Sequence, residues 1–263
     1  MDLGIKNKVA IVAAASRGLG KAIALQLSRE GAKVVICARN KERLFKARDE
    51  IAAETNGEVM AFAADVTNRA EVRSLVKKAV EAFKTVDILV SNAGGPRSGM
   101  AEDFSADDYQ QALELNLLSS VNLCYEVMPL MKRQGWGRII FMASVSAKQP
   151  IDNLILSNTS RAGVLGFSKS LSTQLAPYGI TVNSVCPGYT KTERVEELAR
   201  SFAESGRGTA DDFYKSIEKS IPMGRLATPE EIANAVAFLA SERASYITGV
   251  ALQVDGGYIK SIF

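Results

Sequence analysis

Val9-Ala10-Ile11-Val12-Ala13-Ala14-Ala15-Ser16-Arg17-Gly18-Leu19-Gly20 opens the first patterned segment of the chain and decides its fold. Val9–Ala13 is a short, unbroken apolar run, the pattern of a strand covered on both faces. Ser16 to Gly20 then turns the chain into an amphipathic helix over Gly18–Arg29.

The same alternation continues to the end. Lys33–Ala38, Val59–Ala63, Ile88–Ser91, Arg138–Ala143, Thr181–Cys186 and Ala251–Val254 read as strands. Lys41–Thr55, Asn68–Phe83, Ser105–Arg133, Ser157–Ala176 and Pro229–Ala240 read as helices. Strands that alternate with helices make parallel βαβ units, and right-handed crossovers give an α/β, doubly wound Rossmann-type sheet with helices on both faces. Thr228-Pro229-Glu230-Glu231 carries the capping hydroxyl, first-position proline and third-position carboxylate of a helix start. Gly31 ends the first helix and Gly179 follows the fifth. The polar segment 189–221 lies between the last two strands and is expected to be a mobile lid over the ligand crevice, within one domain spanning 1–263.

With 47% apolar residues, 263 residues suffice for one continuous core. The 32 basic and 29 acidic residues are interleaved, leaving a net charge of +3, so no nucleic-acid partner is expected. No apolar run approaches the about 18 residues that span a bilayer, so the expectation is a cytoplasmic protein with no membrane partner. Cys37, Cys124 and Cys186 lie far apart in apolar runs, as small core residues rather than a metal or disulfide set. The chain has 0 histidines, so acid–base chemistry must fall to Tyr, Lys, Asp, Glu, a cofactor hydroxyl or water.

A strand–turn–helix with glycines can hold a dinucleotide pyrophosphate on backbone N–H groups at the positive end of the helix. Together with Ser91-Asn92-Ala93-Gly94, Asn116, Ser144 and Pro187-Gly188, this turn resembles the short-chain dehydrogenase/reductase family, in particular its 3-oxoacyl-acyl-carrier-protein reductase branch. The resemblance implies cofactor contacts from Ala14, Ser16, Arg17, Gly18, Leu19 and Gly20. It extends them to Asp65 and Val66 at the adenine, to Asn92, Ala93 and Gly94, and to Pro187, Gly188, Thr190 and Thr192. Ala14 stands at the family's first glycine, which an alanine replaces without strain only at negative φ. Relatives specific for NAD carry an acid after the second strand; here Ala38 and Arg39 stand there, with Arg17 in the turn, and a pair of guanidiniums suits a 2′-phosphate. NADP(H) is therefore expected over NAD(H).

The resemblance also implies a catalytic set: Asn116, Ser144 to polarise a carbonyl, a Tyr 13 residues after it and a Lys 4 further on. Those last positions hold Ser157 and Arg161. Serine is a far weaker acid than a phenol of pKa about 10, and arginine stays protonated, although Arg161 can still hydrogen-bond a ribose. Tyr189, after Pro187-Gly188, is one candidate substitute acid, with packing in the lid as its other reading; Lys148, Asp152 and an ordered water are further candidates. Two functions stay open: an NADP(H)-dependent oxidoreductase acting on a carbonyl or acyl substrate through a non-standard proton donor, or an inactive NADP(H)-binding sensor or structural subunit. Relatives form dimers or tetramers, and the apolar coverage of 113–131 and 162–175 suits a homo-oligomer. No metal is expected.

Overall fold

The structure, a computed structural model, describes residues 1–262; Phe263, the last residue of the predicted domain span, lies outside them. The apolar runs become β1 (Val9–Ala13), β2 (Lys33–Ala38), β3 (Val59–Ala63), β4 (Ile88–Ser91), β5 (Gly137–Met142), β6 (Ile180–Pro187) and β7 (Ala251–Val254). All pair in parallel in one sheet, in the order β3-β2-β1-β4-β5-β6-β7. The chain leaves β1 toward β2 and returns to its other edge as β4, with Val9 in register with Lys33 and Ala10 with Ile88. That reversal opens a crevice at the carboxyl ends of the strands. β5 begins one residue before the predicted run, and β6 extends past its predicted strand at both ends.

Strand residues feed two cores alternately. Ala10 and Val12 pack with Ile23, Leu27, Leu44, Ile51, Ile232 and Val236 from helices α1 (Gly18–Arg29), α2 (Lys41–Thr55) and α9 (Pro229–Leu239). Ile11 and Ala13 face Leu75, Leu123, Val127 and Val164 from α3 (Arg69–Phe83), α5 (Ser119–Gln134) and α6 (Ile155–Leu175). Each fully buried Leu, Ile or Phe contributes about 1.5–3 kcal/mol, which is why uninterrupted apolar runs end in the middle layer. Thr228 and Glu231 form the expected reciprocal cap, Thr228 N–H donating to the Glu231 carboxylate at 2.8 Å. Gly31 and Gly179 take φ of 81° and 69°, as helix-ending glycines do. Among the described residues no helix is long and apolar enough to cross a membrane, and no metal-ligand cluster occurs.

The predicted single helix over Ser105–Arg133 is corrected by the structure. α4 (Ala106–Leu113) passes through one π-turn, Glu114–Leu118, into α5. The Ser119 and Ser120 hydroxyls donate to the carbonyls of Leu115 and Asn116 at 2.6 and 2.9 Å, both acceptors inside the widened turn. The segment 189–221 contains α7 (Glu193–Glu204) and α8 (Ala210–Ser220), joined to the body by a cluster of Tyr189, Val195, Phe213, Tyr214, Ile217, Ile221, Leu226 and Tyr258.

Candidate active site

The carboxyl ends of β1, β4, β5 and β6 border a cleft of about 510 Å³. Its floor is the turn between β1 and α1, where Ala14 has φ 49° and Gly18 φ 55°. Ala14 therefore lies in the left-handed region, the condition under which an alanine is strained, at about 1–2 kcal/mol. Gly20 has no alternative, since a Cβ there would stand 2.3 Å from the Ala14 carbonyl oxygen. Arg17, extended at φ −163°, leads into α1 without a side-chain cap, so the first N–H groups of the helix are open to an anion. Ser16, Leu19 and Gly20 line the cleft beside it.

One end of the cleft gathers three arginines, Arg17, Arg39 and Arg43. Ala38, Arg39, Asn40 and Arg43 line it after β2, with no carboxylate at the strand end. The Arg17 guanidinium pairs with Glu193 from α7 and lies 3.6 Å from Glu197, while Arg43 lies 3.9 Å from Glu193. Asp65 and Val66 complete this end, Asp65 held by the Thr67 hydroxyl at 2.8 Å. Asn92 donates to the Ala13 carbonyl at 3.3 Å and, with Ala93 and Gly94, forms the wall after β4. Pro187 at the end of β6 and Gly188, Thr190 and Thr192 after it form the next wall, the Thr190 hydroxyl donating to the Gly188 carbonyl at 3.1 Å.

At the other end stand Ser144, Ser157 and Arg161. The Ser144 oxygen accepts from Ser146 N–H at 3.1 Å, which leaves its own hydrogen to point elsewhere. The Ser157 hydroxyl lies 3.1 Å from that of Ser146. Arg161, one turn along α6, donates to the carbonyls of Met142 and Ala143 at 2.7 and 2.9 Å. Burial, with a smaller push from Arg194, draws its pKa down to about 10, so it stays a cation at neutral pH.

One predicted residue sits differently from expectation, and Tyr189 follows its packing reading. Asn116 is absent from the cleft wall: it is buried behind it, donating to the Gly94 carbonyl at 3.0 Å and accepting from the Ser160 hydroxyl at 2.9 Å. It steadies that wall from behind. Tyr189 lines the cleft, but its ring packs edge-on against Phe213 and Tyr258 at 6.4 and 5.6 Å. Burial, then Tyr258, raises its pKa, making it a weaker acid than an ordinary tyrosine. Arg43 and Arg194 were missed by the sequence reading: one looks like a solvated first-turn residue of α2, the other like one charge among many in 189–221.

The family model described as enoyl-(acyl carrier protein) reductase matches residues 13–259. The chain is 37% identical over 255 residues to the 3-oxoacyl-[acyl-carrier-protein] reductase FabG of Escherichia coli (strain K12), covering 97% of this chain and 98% of that one. Among solved structures it is similar to the L-sorbose reductase of Gluconobacter frateurii complexed with NADPH and L-sorbose, at TM-score 0.94 and 34% identity over 100% of both chains. It is also similar to an actinorhodin polyketide ketoreductase with NADPH, at TM-score 0.92 and 33% identity over 97% of this chain and 98% of that one.

Proposed function

Because the chain belongs to the short-chain dehydrogenase/reductase family, we propose that it is an NADP(H)-dependent oxidoreductase acting on a carbonyl or secondary alcohol, with a non-standard proton donor. One observation carries the reading: an uncapped helix start above a glycine turn opens onto Arg17, Arg39 and Arg43, with no carboxylate at the end of β2. Three planar donor forks suit a 2′-phosphate, and the α1 N-terminus suits a pyrophosphate. Bound there, the nucleotide would supply or accept a hydride. Asp65 and Val66 would meet its adenine, and Gly94, Pro187, Gly188, Thr190 and Thr192 its nicotinamide end.

The remaining work falls to this chain's own side chains. Ser144 uses its unassigned hydrogen to polarise the substrate carbonyl. Ser157 is at the position of the family's phenol, and an alkanol does not readily yield a proton near neutrality. Arg161 is tied to the β5 carbonyls and holds its charge, so it orients without relaying protons. The proton then comes from water reaching the Ser144–Ser157 side of the cleft, at a rate below that of a positioned phenol by a factor of about 10² to 10⁴. A homodimer or tetramer through α5 and α6 belongs to the same proposal, supported by exposed Tyr125 on α5 and exposed Leu118 in the π-turn that leads into it.

The test is a titration with NADPH and NADH, then absorbance at the reduced nicotinamide band with a panel of ketones and acyl thioesters. Tighter NADPH binding and its oxidation are expected; tighter NADH binding overturns the cofactor assignment. NADPH binding without oxidation by any substrate supports the inactive sensor or subunit instead. The double variant Ser157→Tyr with Arg161→Lys restores a phenol and an ammonium, and is expected to raise ketone reduction by about 10²-fold or more. No gain would mean that the substrate end has diverged from its relatives.

A further inference from the structure

Arg161 is 9% exposed and, among the described residues, pairs with no carboxylate; only the Met142 and Ala143 carbonyls receive its hydrogen bonds. Arg138, buried to 2% exposure, shows the usual arrangement, with Glu242 3.5 Å away. A buried guanidinium without a counter-charge is destabilising unless something anionic joins it. A second guanidinium shares the cleft with it. Arg194, in the first turn of α7, donates to the Pro96 carbonyl at 2.6 Å and lies against Gly95, where a Cβ would meet its Nε at 2.7 Å. Its own carboxylate partner, Glu197, is 3.4 Å away with a side chain 45% exposed. The two cations repel each other. Ile151, Leu154 and Leu198 supply apolar wall in the same cleft.

Resting on the oxidoreductase reading, we propose that the substrate is an anion, an oxo- or hydroxycarboxylate with an apolar body, whose carboxylate is held by Arg161 and Arg194. Two planar forks match the two oxygens of a carboxylate, and the apolar wall accepts the rest of the molecule. An anion there would neutralise the Arg161 charge that the fold leaves uncompensated. Nothing in a purely neutral ketone would do so.

The experiment uses protein saturated with NADP⁺ and two probes, 4-oxo-4-phenylbutanoate and its methyl ester, titrated by calorimetry. The acid is expected to bind about 10-fold or more tightly than the ester, from hydrogen bonds to a charged group. Arg194→Gln, which leaves Arg161 in place, is expected to cut that difference by about threefold or more, and Arg194→Lys to cut it less. Equal binding of acid and ester, no binding of the acid, or discrimination undiminished in Arg194→Gln overturns the proposal. So does a loss of NADP⁺ affinity in Arg194→Gln with the preference for acid intact, because the arginine would then serve the nucleotide. Failure of the parent reading is distinct: the unliganded protein would take up neither NADPH nor NADP⁺ in the same instrument.

Discussion

Glu193→Gln would reveal how the phosphate end of the cleft is held before a nucleotide arrives. Glu193 pairs with Arg17 and lies 3.9 Å from Arg43, so a 2′-phosphate has to compete with a carboxylate for both guanidiniums. These side chains are 46%, 51% and 59% exposed, and ion pairs so open to solvent contribute only about 0.2–1 kcal/mol each. Removing two of them lowers the competition by about 0.4–2 kcal/mol, a tightening of NADPH binding of about 2- to 30-fold at low ionic strength. Glu197, 3.6 Å from Arg17, stays in the variant and keeps the gain toward the lower end. Screening at about 0.5 M salt should shrink the effect to less than about twofold, and NADH, which has no 2′-phosphate, should gain little. Fluorescence of the reduced nicotinamide, titrated at both salt concentrations, reads all of these. Unchanged or weaker NADPH binding, or an equal gain for NADH, would refute the competition.

Other outcomes follow from single positions. Ala14→Gly relieves a left-handed alanine, worth about 1–2 kcal/mol, and adds unfolded-chain entropy of about 0.4–1 kcal/mol; the ligand-free protein should gain up to about 1.6 kcal/mol in urea unfolding, and a loss would mean that the turn favours the methyl. The Arg225 hydrogen bonds, then Thr228 N–H, hold the Glu231 carboxyl at about 2 instead of 4.5. A lowered carboxylate pKa stabilises the fold above pH about 4.5 and loses that contribution as pH falls toward 2. Glu231→Gln should therefore flatten the acid side of a melting-temperature profile over that window, and parallel profiles would contradict the linkage.

Much of the fold was legible because buried parallel strands leave unmistakable runs such as Val9–Ala13 and Lys33–Ala38, and because helix ends carry their own chemistry, as at Thr228–Glu231. Of the site, the glycine turn was legible as a strand-to-helix turn, and the wall residues Asp65, Asn92 and Pro187 through the family resemblance; the structure brings them together because strand ends of a parallel sheet converge. The π-turn at Glu114–Leu118 was not, since Ser119 and Ser120 bond carbonyls four residues back just as serines in the regular helix α6 do, and nothing local marks a widened turn. Arg43 and Arg194 were invisible for a different reason. Their meaning comes from crossovers that bring α2 and α7 to one opening, and no local pattern marks a charge for that role.

The three free cysteines have a practical consequence. Cys37 on β2, Cys124 on α5 and Cys186 on β6 are buried; burial pushes Cys37 up to about 12 and Cys186 up to about 11, and raises Cys124 as well. Because only the thiolate reacts, a maleimide in neutral buffer has no target until the chain around a sulfur opens. The protein thus carries three built-in clocks, one toward each side of the sheet's centre and one in a covering helix, and the order in which they become alkylated would show which part of the molecule breathes first.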